Sequence, residues 1–340
     1  MIIVFGAAGF IGTYLIDRLI KEKYSVIAAD ISEAGESYYE SLEIPYYNVN
    51  ITDKQSLEKL PTEGIEAVIN LACVQPANVS EKKYDPTDFM QVNVIGTLNL
   101  LDFCVKNNVK KYFYTSSHRN TQGLWKEKEG TAIKESDGRS VKYTGDYAVY
   151  SISESAAADC IEHYNQAFGM QGIIFRLPPV YGYGPHTEIY KDGKPLKTGF
   201  QIFIDNAVQG KPLEVWGDCA KGRDIIYVKD VVSAFVLALK MNDISGLYNI
   251  SSGRLSTLKE EAESIAHEFW PKGSQPEFIY LPEKSNNIEP YFYDISKAKQ
   301  ELNWAPQYSF EDMISDYRKE LEAERFKYLV EKRKSMMTDK

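Results

Sequence analysis

The feature that most narrows the possible folds is a glycine run set directly behind a buried strand. Residues 2–5, Ile-Ile-Val-Phe, are followed at once by Gly6-Ala7-Ala8-Gly9-Phe10-Ile11-Gly12, and the run opens a stretch with Ile11, Leu15 and Leu19 at helical spacing. A strand, a glycine turn and a helix in that order make a phosphate-binding corner. Gly6 permits the tight turn, Gly9 lets the backbone approach a pyrophosphate, and Gly12 lets the helix pack closely on the sheet, while the helix N-terminus offers its positive end. Asp30 follows at the end of the second apolar run. A carboxylate there accepts hydrogen bonds from both ribose hydroxyls of a dinucleotide and repels a 2′-phosphate. The expected cofactor is therefore NAD, contacted by Gly6, Ala8, Gly9, Phe10, Ile11, Gly12 and Asp30.

The first half of the chain continues the alternation. Residues 2–5, 26–29, 67–71, 112–115 and 173–175 are continuous apolar runs, the pattern of strands buried on both faces of a parallel sheet. Helical patterns lie between them, at 88–105 and 150–168 among others. The fold class is α/β: a doubly wound parallel sheet (Rossmann type) with a smaller C-terminal α/β substrate domain. The expected division is 1–177 for the dinucleotide-binding domain, with a return segment near 224–250, and 178–340 mainly for substrate. The second part mixes helices at 200–209, 231–241, 257–270 and from 310 onward with short strands at 213–216, 225–228 and 247–250. Residues 120–146 and 183–199 are rich in Gly, Lys and polar side chains and read as binding loops or lids. The charged stretch 318–340, with Tyr317, Leu321 and Tyr328 on one face, reads as a solvated surface helix.

Composition excludes several function classes. The 340 residues carry 39 basic and 48 acidic side chains, a formal charge of -9 that repels a phosphate backbone and an anionic membrane alike. Neither nucleic acid nor membrane is an expected partner. Cys73, Cys104, Cys160 and Cys219 are widely spaced in apolar surroundings, as reduced thiols are. His118, His163, His186 and His267 show no ligand spacing, so no metal is expected. The longest apolar stretch, 231–241, is too short to span a bilayer, and a strand starting at the first methionine leaves no room for a leader. The expected location is the cytoplasm.

Further motifs extend the glycine run: Asn50-Ile51-Thr52-Asp53, Asn70-Leu71-Ala72, Asn93-Val94-Ile95-Gly96-Thr97, Thr115-Ser116-Ser117, and Arg176 through Val180-Tyr181-Gly182. Later come Gly217-Asp218, Arg223-Asp224-Ile225-Ile226-Tyr227-Val228-Lys229-Asp230, Tyr248-Asn249-Ile250 and Leu302-Asn303-Trp304-Ala305-Pro306. On these residues the chain resembles, over nearly its whole length, the extended short-chain dehydrogenase/reductase family, the NAD-dependent epimerase/dehydratase group acting mostly on nucleotide sugars. The resemblance implies NAD contacts at Asn50, Ile51, Leu71, Ala72, Cys73, Asn93, Tyr150 and Pro178, and substrate contacts at Ser117, Trp216 and Arg223. It implies catalysis by Ser117 and Tyr150, hydride transfer at a sugar carbon in the manner of a 4-epimerase, and a homodimer through the helices near 93–105 and 150–168.

The family lysine, four residues after the tyrosine, is absent. Glu154 stands there after Tyr150, and counting from Tyr147 gives Ser151. A tyrosine of ordinary pKa about 10 needs a nearby cation to serve as a base, and an ionised Glu154 one helical turn away would push it higher. Glu154 is either an acceptor for the nicotinamide ribose or an exposed helix carboxylate. Ser117 is followed by His118-Arg119, where a family dehydratase carries an Asp-Glu pair, so 4,6-dehydration is not expected. His118 is either a substitute base or a solvated loop residue, and Arg119 is positioned to offset the missing positive charge. Pro179 replaces the family's substrate asparagine. Arg223 reads as a diphosphate ligand or as half of an ion pair, and Trp216 as a nucleotide contact or as core. The alternative to an enzyme is a protein that binds NAD and a nucleotide sugar with weakened or no catalysis.

Overall fold

The five apolar runs, the expected strand near 247–250 and an unforeseen one at Tyr46–Asn48 pair as seven parallel strands. Across the sheet the order is Gly246–Asn249, then β6 (Gln171–Leu177), β5 (Lys111–Ser117), β4 (Ala67–Asn70), β1 (Ile2–Phe5), β2 (Val26–Asp30) and β3 (Tyr46–Asn48). From β1 the chain winds outward through β2 and β3, then crosses back to β4, β5 and β6 on the other side. The reversal falls between β1 and β4, where Ile2 pairs with both Val26 and Ala67. That switch point opens a crevice at the C-terminal ends of the strands, which is where an α/β sheet binds ligands. The computed structural model describes residues 1–331 apart from 79–84, 146, 186–187, 192–193 and 287. His186 and the end of the tail, 332–340, lie outside the described residues, as does part of the expected loop 183–199.

Both sheet faces are covered. On one, the rings of Phe113 and Phe175 meet Phe235 of the helix Val228–Lys240 at centroid distances of 5.8 and 4.8 Å. This helix comes from the second half of the chain, immediately before the edge strand Gly246–Asn249, so residues 228–249 return to complete the sheet. The other face packs Leu100, Leu101, Cys104 and Ile161 of the helices Thr97–Lys106 and Ala148–Phe168 against Val68, Tyr112 and Ile174.

Several expectations are corrected. The continuous helix over 88–105 is three segments: an α-helical turn Pro86–Phe89, a π-helical stretch Met90–Gly96 and an α-helix Thr97–Lys106. A spacing pattern cannot distinguish the one extra residue per turn of a π-helix. Within the expected loops, residues 118–124 form a 3₁₀ turn, and Glu188–Lys191 pairs antiparallel with Lys194–Lys197 as a hairpin. The strand at 225–228 is a two-residue bridge, Ile226–Tyr227 with Val180–Tyr181. Leu213–Trp216 gains an unanticipated parallel partner, Phe278–Leu281.

The C-terminal stretch is not a solvated helix as far as residue 331. The helix Phe310–Glu322 buries Phe310, Met313, Ile314 and Tyr317, and beyond it Phe326 and Leu329 are fully buried while Tyr328 points outward. Arg325 pairs with Asp17 and Glu320, and its guanidinium lies 4.2 Å from the Tyr14 ring centroid. The segment is thereby pinned to the helix Phe10–Lys21. Among the described residues, no helix is long and apolar enough to cross a membrane.

Candidate active site

The ends of β1, β4, β5 and β6 lie side by side, and most of the residues singled out above converge there on one cavity of about 1650 Å³. Its first part is the glycine corner. Gly6 sits at φ +75°, and a Cβ there would come within 2.7 Å of the Leu71 carbonyl carbon. A Cβ on Gly12 would lie 2.3 Å from the Gly6 oxygen, so neither position admits a side chain. Gly9 caps the helix Phe10–Lys21, whose first amides have no partner within the helix. The Asp30 carboxylate accepts the amides of Ala8 and Ser32, each at 2.9 Å, and so braces the corner while facing the cavity.

Gly6, Gly9, Phe10, Ile11 and Gly12 line the wall, followed by Asn50, Ile51, Leu71, Ala72, Cys73 and Pro178. Two expected contacts lie behind it instead. Ala8 is fully buried with its amide turned to Asp30. Asn93, in the π-helical stretch, is buried against the chain after β4: its side chain accepts the Val74 amide at 2.8 Å and donates to the Val74 carbonyl and to Ser153, both at 3.0 Å. Asn93 therefore positions the wall.

The chemical centre lies at the end of β5. Ser117 closes that strand, Tyr150 stands in the first turn of the helix Ala148–Phe168, and the Ser117 hydroxyl is close enough to lower the pKa of the Tyr150 phenol. Both are 7% exposed. Ser117 Oγ also accepts the Arg119 amide at 3.2 Å. The rings of Phe89 and Tyr147 meet Tyr150 edge-on.

Glu154, one turn along, is 1% exposed and accepts the Tyr114 hydroxyl at 3.0 Å. Burial pushes its carboxyl up to about 8, with the Tyr114 hydrogen bond opposing. It is thus mostly protonated at neutral pH, which corrects both the ionised carboxylate and the exposed one. The i,i+4 spacing that aligns it with Tyr150 also carries it into the seam between helix and sheet. The Tyr150 phenol stands well above its ordinary value, from burial first and then from Glu154 and Cys73, with the Ser117 hydrogen bond opposing. None of the groups acting most strongly on it is a cation.

His118 is not a solvated loop residue. Its ring lies nearly parallel to Tyr291 and Trp125, at centroid distances of 5.7 and 5.8 Å. Burial, then the charges of Arg119 and Arg223, hold it well below its usual value, with the Leu177 backbone opposing, so the imidazole is neutral. Arg119 lies 4.2 Å from the Tyr147 ring centroid and donates to Gln122 at 3.3 Å.

Arg223 enters from the short strand Gly222–Arg223 and donates to the Tyr181 hydroxyl at 3.4 Å. Tyr181 chiefly, with Tyr291 and Glu261, strengthens its hold on the proton. Glu261 is pushed up to about 7 by burial, with Arg223 opposing. Trp216 is 44% exposed at the cavity rim rather than in the core. Its indole donates to Glu214 at 2.9 Å, and Lys284 covers its ring at 4.3 Å.

The far wall was not foreseen. It includes Phe200, Gln201 and Asn206 of the helix Gly199–Val208, and Ser285 and Asn286. A sequence signal existed for the helix alone: Thr198 caps it by accepting the Gln201 amide at 3.2 Å.

Known proteins resemble this chain. A candidate UDP-glucose 4-epimerase of Methanocaldococcus jannaschii is 28% identical over 314 residues, 92% of this chain and 96% of the relative. The solved UDP-glucose 4-epimerase of Thermotoga maritima, with UDP-glucose, superposes at a TM-score of 0.77 and 24% identity, covering 95% of this chain and 99% of that one. The Thermus thermophilus UDP-glucose 4-epimerase in complex with NAD gives 0.73 and 24%, over 94% and 98%. The solved structures establish a common fold. A model of the NAD dependent epimerase/dehydratase family matches residues 2–251. That match takes in the whole seven-stranded sheet, from the first strand to the returning one, and places the protein in the NAD dependent epimerase/dehydratase family.

Proposed function

We propose that the protein binds NAD and catalyses hydride transfer at a sugar carbon of a nucleotide sugar, as an epimerase or a related oxidoreductase. One observation carries this reading: a single cavity runs from the glycine corner, past the Ser117–Tyr150 pair, to Arg223. The corner fits a dinucleotide, because the two side-chain-free glycines bring backbone and helix N-terminus to the cavity and Asp30 presents a carboxylate beside them. NAD, when bound, supplies the hydride chemistry.

The protein's own residues handle position and protons. Ser117 and Tyr150 hydrogen-bond the reacting oxygen, and Tyr150 exchanges a proton with it. Their burial keeps bulk water from the reacting centre. Arg223 offers paired donors to the diphosphate, and Trp216 at the rim borders the nucleotide. Similarity to UDP-glucose 4-epimerases over nearly the full chain supports a UDP-sugar as substrate. Residues 178–340 are assigned mainly to substrate, apart from the segment that returns to the sheet.

The test is to release and identify the cofactor, then incubate the protein with UDP-, GDP-, CDP- and dTDP-sugars while following NADH absorbance and product identity. An isomerised sugar with no net NADH marks an epimerase, and a net change marks a one-way oxidoreductase. Absence of dinucleotide binding overturns the reading. Exposed Met90, Ile95, Ile152 and Phe168 on the segments 90–96 and 148–168 support a homodimer, which light scattering checks. The four free cysteines suit a cytoplasmic location.

A further inference from the structure

Hydride transfer at a sugar carbon makes opposite demands in its two directions. Taking hydride from a sugar alcohol needs a base for the hydroxyl proton; giving hydride to a keto sugar needs an acid for the new alkoxide. The groups packed around Tyr150 come from four places. They are Glu154 on its own helix with Tyr147 at that helix's N-cap, Tyr114 and Ser117 from β5, Cys73 after β4, and Phe89 from the turn Pro86–Phe89. Every one is an acid or uncharged. The Arg119 guanidinium lies against the face of the Tyr147 ring. Glu154 is sealed from solvent with the Tyr114 hydroxyl on one oxygen. One hydroxyl donor does not replace the hydration of a carboxylate, so a carboxyl in this seam keeps its proton, and a phenol with no cation among the described groups that act most strongly on it keeps its own.

We propose that Glu154 enters the reaction as a carboxylic acid behind Tyr150, and that the site is a proton donor built to reduce a keto-sugar nucleotide rather than to oxidise a sugar alcohol. This rests on the nicotinamide-dependent reading above. A hydride from reduced nicotinamide dinucleotide adds to the carbonyl carbon, the C=O π pair moves to the oxygen, and that oxygen takes the Tyr150 hydroxyl proton. The products are the sugar alcohol and the oxidised dinucleotide. The Tyr150 phenolate regains its proton from solvent by way of the cavity it lines, so one hydride and one proton are consumed per turnover, and a protonated Glu154 behind it leaves the phenol a better donor than a carboxylate there would. Glu154 acts through Tyr150 and is a positioning residue; Tyr114 holds its carboxyl in place.

The experiment supplies NADH and a set of nucleotide-linked 4-keto-6-deoxyhexoses to the wild-type protein and to Glu154→Gln, between about pH 6 and about pH 10. The wild-type rate of NADH consumption is expected to hold until about pH 8 and then fall about tenfold per pH unit as the carboxyl ionises. In Glu154→Gln, which stays neutral, that fall disappears. Independently of turnover, the infrared spectrum of the wild-type protein shows a buried protonated carboxyl at neutral pH that is lost in alkali and is missing from Glu154→Gln. An identical alkaline fall in both proteins, or no such band in the wild type, overturns the proposal. So does a protein that binds NADH but reduces none of the keto sugars, or that interconverts UDP-glucose and UDP-galactose at neutral pH with NADH flat; the last outcome leaves the NAD-dependent reading standing. No dinucleotide binding in a calorimetric titration overturns both.

Discussion

Replacing Tyr150 with Phe deletes one oxygen of the hydroxyl pair and leaves the ring that packs against Phe89 and Tyr147. Turnover is expected to fall by about 10²–10⁴-fold, with dinucleotide affinity little changed, as steady-state rates and a calorimetric titration would show. Tyr150 and Ser117 come from the family resemblance rather than from any local pattern, and the structure brings both to the cavity wall. The state of Glu154 was not legible in the sequence. A carboxylate reads as charged until its neighbours are known, and what decides its state is the Tyr114 hydroxyl and the dry seam around it, supplied by a strand forty residues away. The same holds for His118: a histidine after a strand reads as solvated, whereas its neutrality comes from an aromatic stack with Trp125 and Tyr291 that no local spacing encodes.

At the scale of elements, the β1 turn and the helix Phe10–Lys21 form one unit with no slack. Gly12→Ala would put a methyl 2.3 Å from the Gly6 oxygen, so the helix must move off the sheet and take its free amides with it. NAD affinity is expected to drop at least about tenfold, roughly the loss of one good hydrogen bond to a charged group, measurable by calorimetry. The segment beyond the helix Phe310–Glu322 is a second such unit, clamped by Phe326 and Arg325 against Tyr14 and Asp17. Phe326→Ala is expected to cost about 3 kcal/mol in urea unfolding. The parallel strands were legible because burial on both faces leaves an unbroken apolar signature. β3 and Phe278–Leu281 were not: β3 is only three residues, Tyr-Tyr-Asn, at the sheet edge, and Phe278–Leu281 is a four-residue run that leaves Ile279 and Tyr280 exposed. Nor was the Glu-rich helix Glu33–Glu40, which buries only Ala34, Gly35 and Tyr39.

For the whole molecule, four buried acids set how stability varies with pH. Glu154, Asp224, Asp230 and Glu261 stand at about 8, 6, 6 and 7 in the fold, against ordinary values of 4.5, 3.8, 3.8 and 4.5. Each binds its proton more tightly folded than unfolded, so its contribution is fully present below the ordinary value and is lost as pH rises through the folded one. Asp102 and Asp137, held low by Lys54 and Lys128, act the other way and lose their contribution only in acid. The melting temperature is expected to peak at about pH 5 and decline toward about pH 8, with Glu154→Gln flattening the upper part of the decline, in a thermal-shift series. The order of the sheet has a further consequence, for the timing of synthesis. Its outermost strand, Gly246–Asn249, pairs with β6 along Ile173 to Arg176. On the ribosome that side of β6 therefore stays bare while the far wall of the cavity is being made, an open apolar edge of the kind that recruits other chains. The sheet begun at Ile2 has all seven strands only once Asn249 has emerged, so a nascent chain stalled between these points is open to misassembly along β6.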